Sequence, residues 1–240
     1  MNIRFLTIIF SLFACLLNAQ TTTEKVIWDY PVKPMTEEWR QLSTYAEMKN
    51  ACLIPVDILE KMPTKELVEV CLNYPLRFKF YVYDNLHLGL KEVVKDFNGL
   101  QELLMRKDNA QYLYELLQEV CFETLPEKNL PSLEIGRLII SYTLKEVMLA
   151  HELVLIHASV EQQKAIAALA ARSMSLKELR SEDYSRHSLE ASAYLLCASL
   201  KRMNPNILTP DLELFLQTGS LRNEAQIKEL KQLYSETINP

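Results

Sequence analysis

The sequence predicts an all-α protein, an irregular α-solenoid or superhelix of roughly ten helices stacked as helix-turn-helix pairs. Apolar residues recur at three- and four-residue spacing along almost the whole chain. The breaks between these runs are helix caps and prolines, where β-hairpins would carry paired turn residues. Only four of the 240 residues are glycine, no two of them close together, and no fixed repeat period emerges.

The first segment reads as an export signal. Met1 to Arg4 is a short basic start, Phe5 to Leu17 is a run of apolar and small residues, and Leu17-Asn18-Ala19 offers a small-residue cleavage site, so residues 1–19 are expected to be a signal peptide. The run falls short of the roughly 20 apolar residues that cross a bilayer, so no transmembrane span is expected. Leu12-Phe13-Ala14-Cys15 resembles a lipobox, which makes a lipid anchor on Cys15 the alternative to release after Ala19. Phe13 and the apolar Leu16 and Leu17 fit that alternative poorly. The expectation is an exported protein, whether periplasmic, cell-surface or secreted.

Residues 20–240 read as a single α-helical domain, with a candidate subdivision at the 126–132 loop, where Pro126 and Pro131 bracket the chain. Trp28-Asp29-Tyr30-Pro31 precedes the first cap at Thr36 and reads as a strap docked on the first helices, with an exposed recognition arm of Trp28 and Tyr30 as the functional alternative. Thr44-Tyr45-Ala46-Glu47 is a capping box opening a helix that ends near Cys52. Pro55 starts a short helix, and Thr64 caps another whose Leu67, Val68, Cys71 and Leu72 form one apolar stripe. The aromatic run Leu76 to Tyr83 has strand character, but lacks a partner strand and is expected to be a core helix. Asn85 to Phe97 follows as an amphipathic helix, and Asn98-Gly99 breaks the chain before Leu100.

Asp108-Asn109-Ala110-Gln111 reads as a second capping box, and Ser132 caps a long apolar helix expected to run to about His157. Ser159-Val160-Glu161-Gln162 is a third box, and its helix carries the alanine-rich stretch Ala165 to Ala171, suited to close packing. A helix from Arg186 to Met203 stops at Asn204-Pro205. Thr209-Pro210-Asp211 caps the next, which Gly219 ends, and a last helix follows from about Leu221.

The run Cys71-Leu72-Asn73-Tyr74-Pro75-Leu76, then Gly89, then Phe97-Asn98-Gly99-Leu100-Gln101-Glu102-Leu103 resembles a pattern of uncharacterised exported helical proteins of bacteria. It covers about residues 36–120. The resemblance implies an exported α-helical module and brings no catalytic residues.

Composition excludes several chemistries. Without Arg4, 25 of the 26 basic residues remain against 31 acidic ones. A polyanion needs a basic patch, so nucleic acid is not an expected partner. Gly89, Gly99, Gly136 and Gly219 are too far apart for a phosphate-cradling loop or a nucleophile elbow, and no cofactor is expected. Cys15 leaves with the signal. Cys52, Cys71, Cys121 and Cys197 read chiefly as buried thiols, with Cys52–Cys71 the pair for a disulfide that would add about 3 kcal/mol.

His151-Glu152 invites comparison with zinc-binding helices, but the next histidine is His157, about 120° around a helix, so no metal site is expected. The spacing of Asp183 and His187 fits a surface ion pair, whereas Ser159 separates His157 from Glu161. No pair of carboxylates stands out, and the catalytic residues are unknown. These features favour an exported interaction or scaffold protein binding another protein or an envelope component. An all-α enzyme acting on glycan or cell-wall material is the first alternative, and an apolar-ligand carrier between the long helices the second. An enzyme should show a closed pocket of converging carboxylates or histidines, and a scaffold a broad, shallow concave face.

Overall fold

The computed structural model describes residues 28–119 and 132–238. The expected signal peptide, residues 1–19 with Cys15, lies outside the described residues, as do Cys121, nearly all of the 126–132 loop and the last two residues. Among the described residues the chain forms thirteen α-helices and one short 3₁₀ helix, and no strand. The helices are α1 (Glu37–Arg40), α2 (Tyr45–Ala51), α3 (Val56–Leu59), α4 (Thr64–Leu72), the 3₁₀ helix η1 (Arg77–Tyr81), α5 (Leu86–Asp96), α6 (Asn98–Met105) and α7 (Asn109–Gln118). After the gap come α8 (Ser132–Leu149), α9 (Glu152–Leu155), α10 (Val160–Leu179), α11 (Arg186–Met203), α12 (Pro210–Thr218) and α13 (Glu224–Ile238).

The caps explain where most of these begin. Thr44 and Ser159 form complete capping boxes with Glu47 and Gln162, and Thr36, Asn85, Ser185 and Thr209 each accept a first-turn N–H. Each such bond satisfies an orphan donor and contributes about 1 kcal/mol. Gly219 closes α12 at φ +69°, the left-handed conformation that glycine adopts without steric cost.

Several local expectations need correction. Thr64 is the first residue of α4 and does not cap it, since Pro63 holds that position, and Asn98 and Gly99 lie within α6, whose cap position is Phe97. Asp108 does not cap α7 through its side chain; its carboxylate accepts from Thr64 Oγ1 at 2.9 Å and ties α7 to α4. The long apolar helix does not reach His157: it stops at Leu149, and His151 caps α9, its Nδ1 accepting from Leu153 N at 3.2 Å. Neither Gly nor Pro marks that break. The aromatic run folds only as η1, in which Phe80 is buried while Phe78 is 57% exposed.

One apolar core runs from Tyr30 to Leu230, continuous across the two described segments. α8 is its axis, packing on α4, α5 and α7 on one side and on α11 on the other. α10 and α11 form the most extensive helix pair, and α13 packs across both. Ala167, Ala170 and Ala193 are fully buried, which lets α10 and α11 approach closely.

The motif residues of the N-terminal half are packing residues. Tyr74 and Phe97 stack at 4.2 Å, and Tyr30 lies against both rings. A Cβ on Gly89 would sit 2.2 Å from the Phe80 carbonyl oxygen, so only glycine admits η1 onto α5. Asn98 both donates to Ile54 O (2.7 Å) and accepts from Ile54 N (3.1 Å), pinning the α2–α3 turn to α6.

Candidate functional site

Among the described residues, one polar constellation is closed to solvent and another is open to it. The closed one lies among α8, α10 and α11. Lys177 Nζ donates to Glu146 Oε2 at 2.5 Å and to Ser188 O at 2.9 Å, while Ser173 and Ser192 donate to Glu146 Oε1 at 2.7 and 2.6 Å. Tyr142 and Tyr184 place their rings 5.1 and 5.9 Å from the ammonium. Burial pulls the Lys177 amine below its ordinary range, an effect that Glu146 opposes. A lysine beside serines invites a nucleophilic reading. With Glu146 and Lys177 each 1% exposed and both serines at 0%, a substrate has no route to them.

The open constellation is a cleft of about 810 Å³ between α5, α9, α11 and α12. Leu90, Ala150, Leu155, Ala198 and Leu216 supply apolar lining, while Lys91, Glu152, Lys201, Arg202, Glu213 and Gln217 supply the polar part. In it His87 of α5 stacks on Tyr194 of α11, ring centres 3.5 Å apart and planes 21° apart. The far edge of Tyr194 meets Phe215 of α12, which fixes its ring. His87 Nε2 is buried and has no hydrogen-bond partner among the described residues. Burial first, then the charges of His151 and Lys91, push the His87 pKa down to about 3, so the ring is neutral at pH 7. Burial also holds His151 below its usual range.

The charges around the cleft are unevenly committed. Lys201 and Glu213 pair at 2.6 Å. Lys91, Arg202 and Glu152 have no ion-pair partner among the described residues. One side chain braces the walls: Asn85 accepts from Leu88 N at 2.9 Å, capping α5, and donates to Thr218 O at the end of α12. Among the described residues no group of three or more His, Cys, Asp or Glu is placed to hold a metal, and no helix is long and apolar enough to cross a membrane.

The residues singled out from sequence lie elsewhere. Tyr30 is 5% exposed and donates to Val70 O at 3.0 Å, and Trp28 packs on the core, so the pair forms a strap and the recognition-arm alternative does not describe it. Cys52 and Cys71, the candidate disulfide pair, are separate free thiols at 0% exposure, and both fill core space. His157 contacts Asn109 Oδ1 through its Nδ1 at 3.2 Å. Asp183 pairs with Arg180 and not with His187, because α11 begins only at Arg186 and the two residues do not share a helix. His187 approaches Glu190 instead.

His87, Lys91, Tyr194 and Arg202 were not legible as a site from sequence. They come from two helices about a hundred residues apart, and each reads locally as an ordinary helix residue. No family model, curated protein or solved structure matches the chain.

Proposed function

We propose that this is an exported helical interaction protein that holds a segment of another protein, or a cell-envelope component, in the cleft between α5, α9, α11 and α12. The cleft itself supports this reading, because an apolar floor with a polar rim is the usual anatomy of a binding groove. Its form is neither a closed catalytic pocket nor a broad concave face. It is an open-sided groove with walls braced by Asn85.

The side chains present favour binding over glycan hydrolysis. Hydrolysis by paired carboxylates needs two of them free to act. Of the two lining the cleft, Glu213 is engaged by Lys201, which leaves Glu152. Sugar rings also stack on open aromatic faces, and His87 covers one face of Tyr194. The apolar-carrier reading has less support, since Leu144, Val147, Met148 and Leu149 of α8 are spent in the core at 1% exposure or less.

Filling the groove tests the proposal. Ala198 is half-buried in the cleft wall, so Ala198→Trp should abolish retention of any envelope protein or component that the native protein captures. Equal capture by both proteins, with folding verified by circular dichroism, would place the binding surface elsewhere.

A further inference from the structure

We infer that the occupant of this cleft is an acidic peptide segment bearing apolar side chains. The inference rests on the binding role proposed above and names the chemistry of the partner. It starts from charge. With Lys201 and Glu213 neutralising each other, the lining charges that have no ion-pair partner among the described residues are Lys91 and Arg202 against Glu152. The cleft is thus cationic in a chain of formal net charge −5. Two unpaired cations on an acidic molecule attract an anionic partner and orient it on approach.

The apolar lining argues for a chain that extends beyond the cleft. Leu153 and Ile156 line it and are 41% and 53% exposed, and Val160, at 58%, is the next exposed apolar residue along the chain, at the start of α10. A small molecule confined to the groove would leave Val160, which does not line it, in water. A peptide lying along it covers both.

Hydrogen-bonding groups favour peptide over an alkyl chain. Because His151 Nδ1 accepts from Leu153 N, its neutral ring carries the proton on Nε2, and that donor has no partner among the described residues. Gln217, exposed on the same cleft, offers a donor and an acceptor. A lipid tail uses neither; a peptide backbone uses both.

The test is fluorescence anisotropy with a dye-labelled peptide alternating leucine and glutamate, against its leucine–lysine counterpart, on the purified protein. The leucine–glutamate peptide should bind, and the leucine–lysine one should not. K91E/R202E should weaken binding by about tenfold or more, and Glu152→Gln should tighten it about two- to threefold. Both exposed cations tolerate replacement without loss of fold, which thermal unfolding verifies. Preference for the lysine peptide, or sedimentation with phosphatidylglycerol vesicles in place of peptide binding, overturns the inference. Partner capture that A198W abolishes but K91E/R202E leaves intact overturns the acidic-peptide inference alone. Capture insensitive to A198W removes the cleft reading with it.

Discussion

Lys177 and Glu146 form an ion pair 2.5 Å long from which water is excluded, their side chains 0% and 1% exposed. Such a pair repays its desolvation only when the remaining lone pairs and protons are also satisfied, and here Ser173, Ser192 and Ser188 O satisfy them. Replacing Lys177 with Met leaves a buried carboxylate without its counter-charge and should cost about 3–5 kcal/mol in urea unfolding. The double variant Glu146→Leu/Lys177→Met should lose clearly less than the sum of the single changes. A single-variant loss below about 1 kcal/mol would show that the pair does not hold α8 to α10.

Asn85 and Gly219 meet at the joint between the two cleft walls. Asn85 donates to Thr218 O, and a Cβ on Gly219 would lie 2.6 Å from the Asn85 side chain. Gly219→Ala combines a positive φ with that clash and should destabilise the protein by about 2 kcal/mol. Asn85→Ser keeps a cap on Leu88 N but is too short to donate to Thr218 O. It should cost less than Asn85→Ala, which loses both, and measuring all three by urea unfolding orders them. An Asn85→Ser loss as large as that of Asn85→Ala would mean that the bond to Thr218 carries the joint alone.

The helical class was legible because its signals are local. Thr44 with Glu47 and Ser159 with Gln162 announce helices within four residues, and Thr209-Pro210 with Gly219 brackets another. The break at His151 was not legible, since an imidazole capping a four-residue helix has no counterpart in Gly or Pro punctuation. Asp108 was misread because the contact that claims its carboxylate comes from Thr64, 44 residues away. The same holds for the cleft. His87 and Tyr194 meet only after α8 has brought α5 and α11 together, and the Glu146–Lys177 pair likewise depends on how α8 lies on α10.

The cysteines yield a reactivity prediction. Burial pushes the Cys52 thiol up to about 12 and raises Cys71 and Cys197 as well. The thiolate is the reactive form, so all three should resist alkylation at pH 8 in the folded protein. Each should react in denaturant without prior reduction. Iodoacetamide labelling with mass-spectrometric site mapping reads both states. Protection of Cys52 and Cys71 that persists in denaturant and is released only by a reductant would mean they are bonded.

His87 makes stability depend on acid in a defined window. An unfolded histidine takes up its proton near pH 6.5, whereas His87 in the fold does so only at about 3. Below 6.5 the unfolded chain therefore binds more protons than the native one, and stability falls as pH drops towards 3. Well above 6.5 the ring is neutral in both states and adds no pH dependence. Carboxylates titrate through part of the same range, so the comparison must be with a variant that keeps the ring contact. His87→Phe retains stacking on Tyr194 and removes a buried nitrogen that has no partner among the described residues. It should be no less stable at pH 7. Between pH 6.5 and about 4.5 it should lose less stability than the native protein, by on the order of 2 kcal/mol. Urea midpoints that fall in parallel for both proteins across that interval would show that His87 takes up its proton as readily in the fold as out of it.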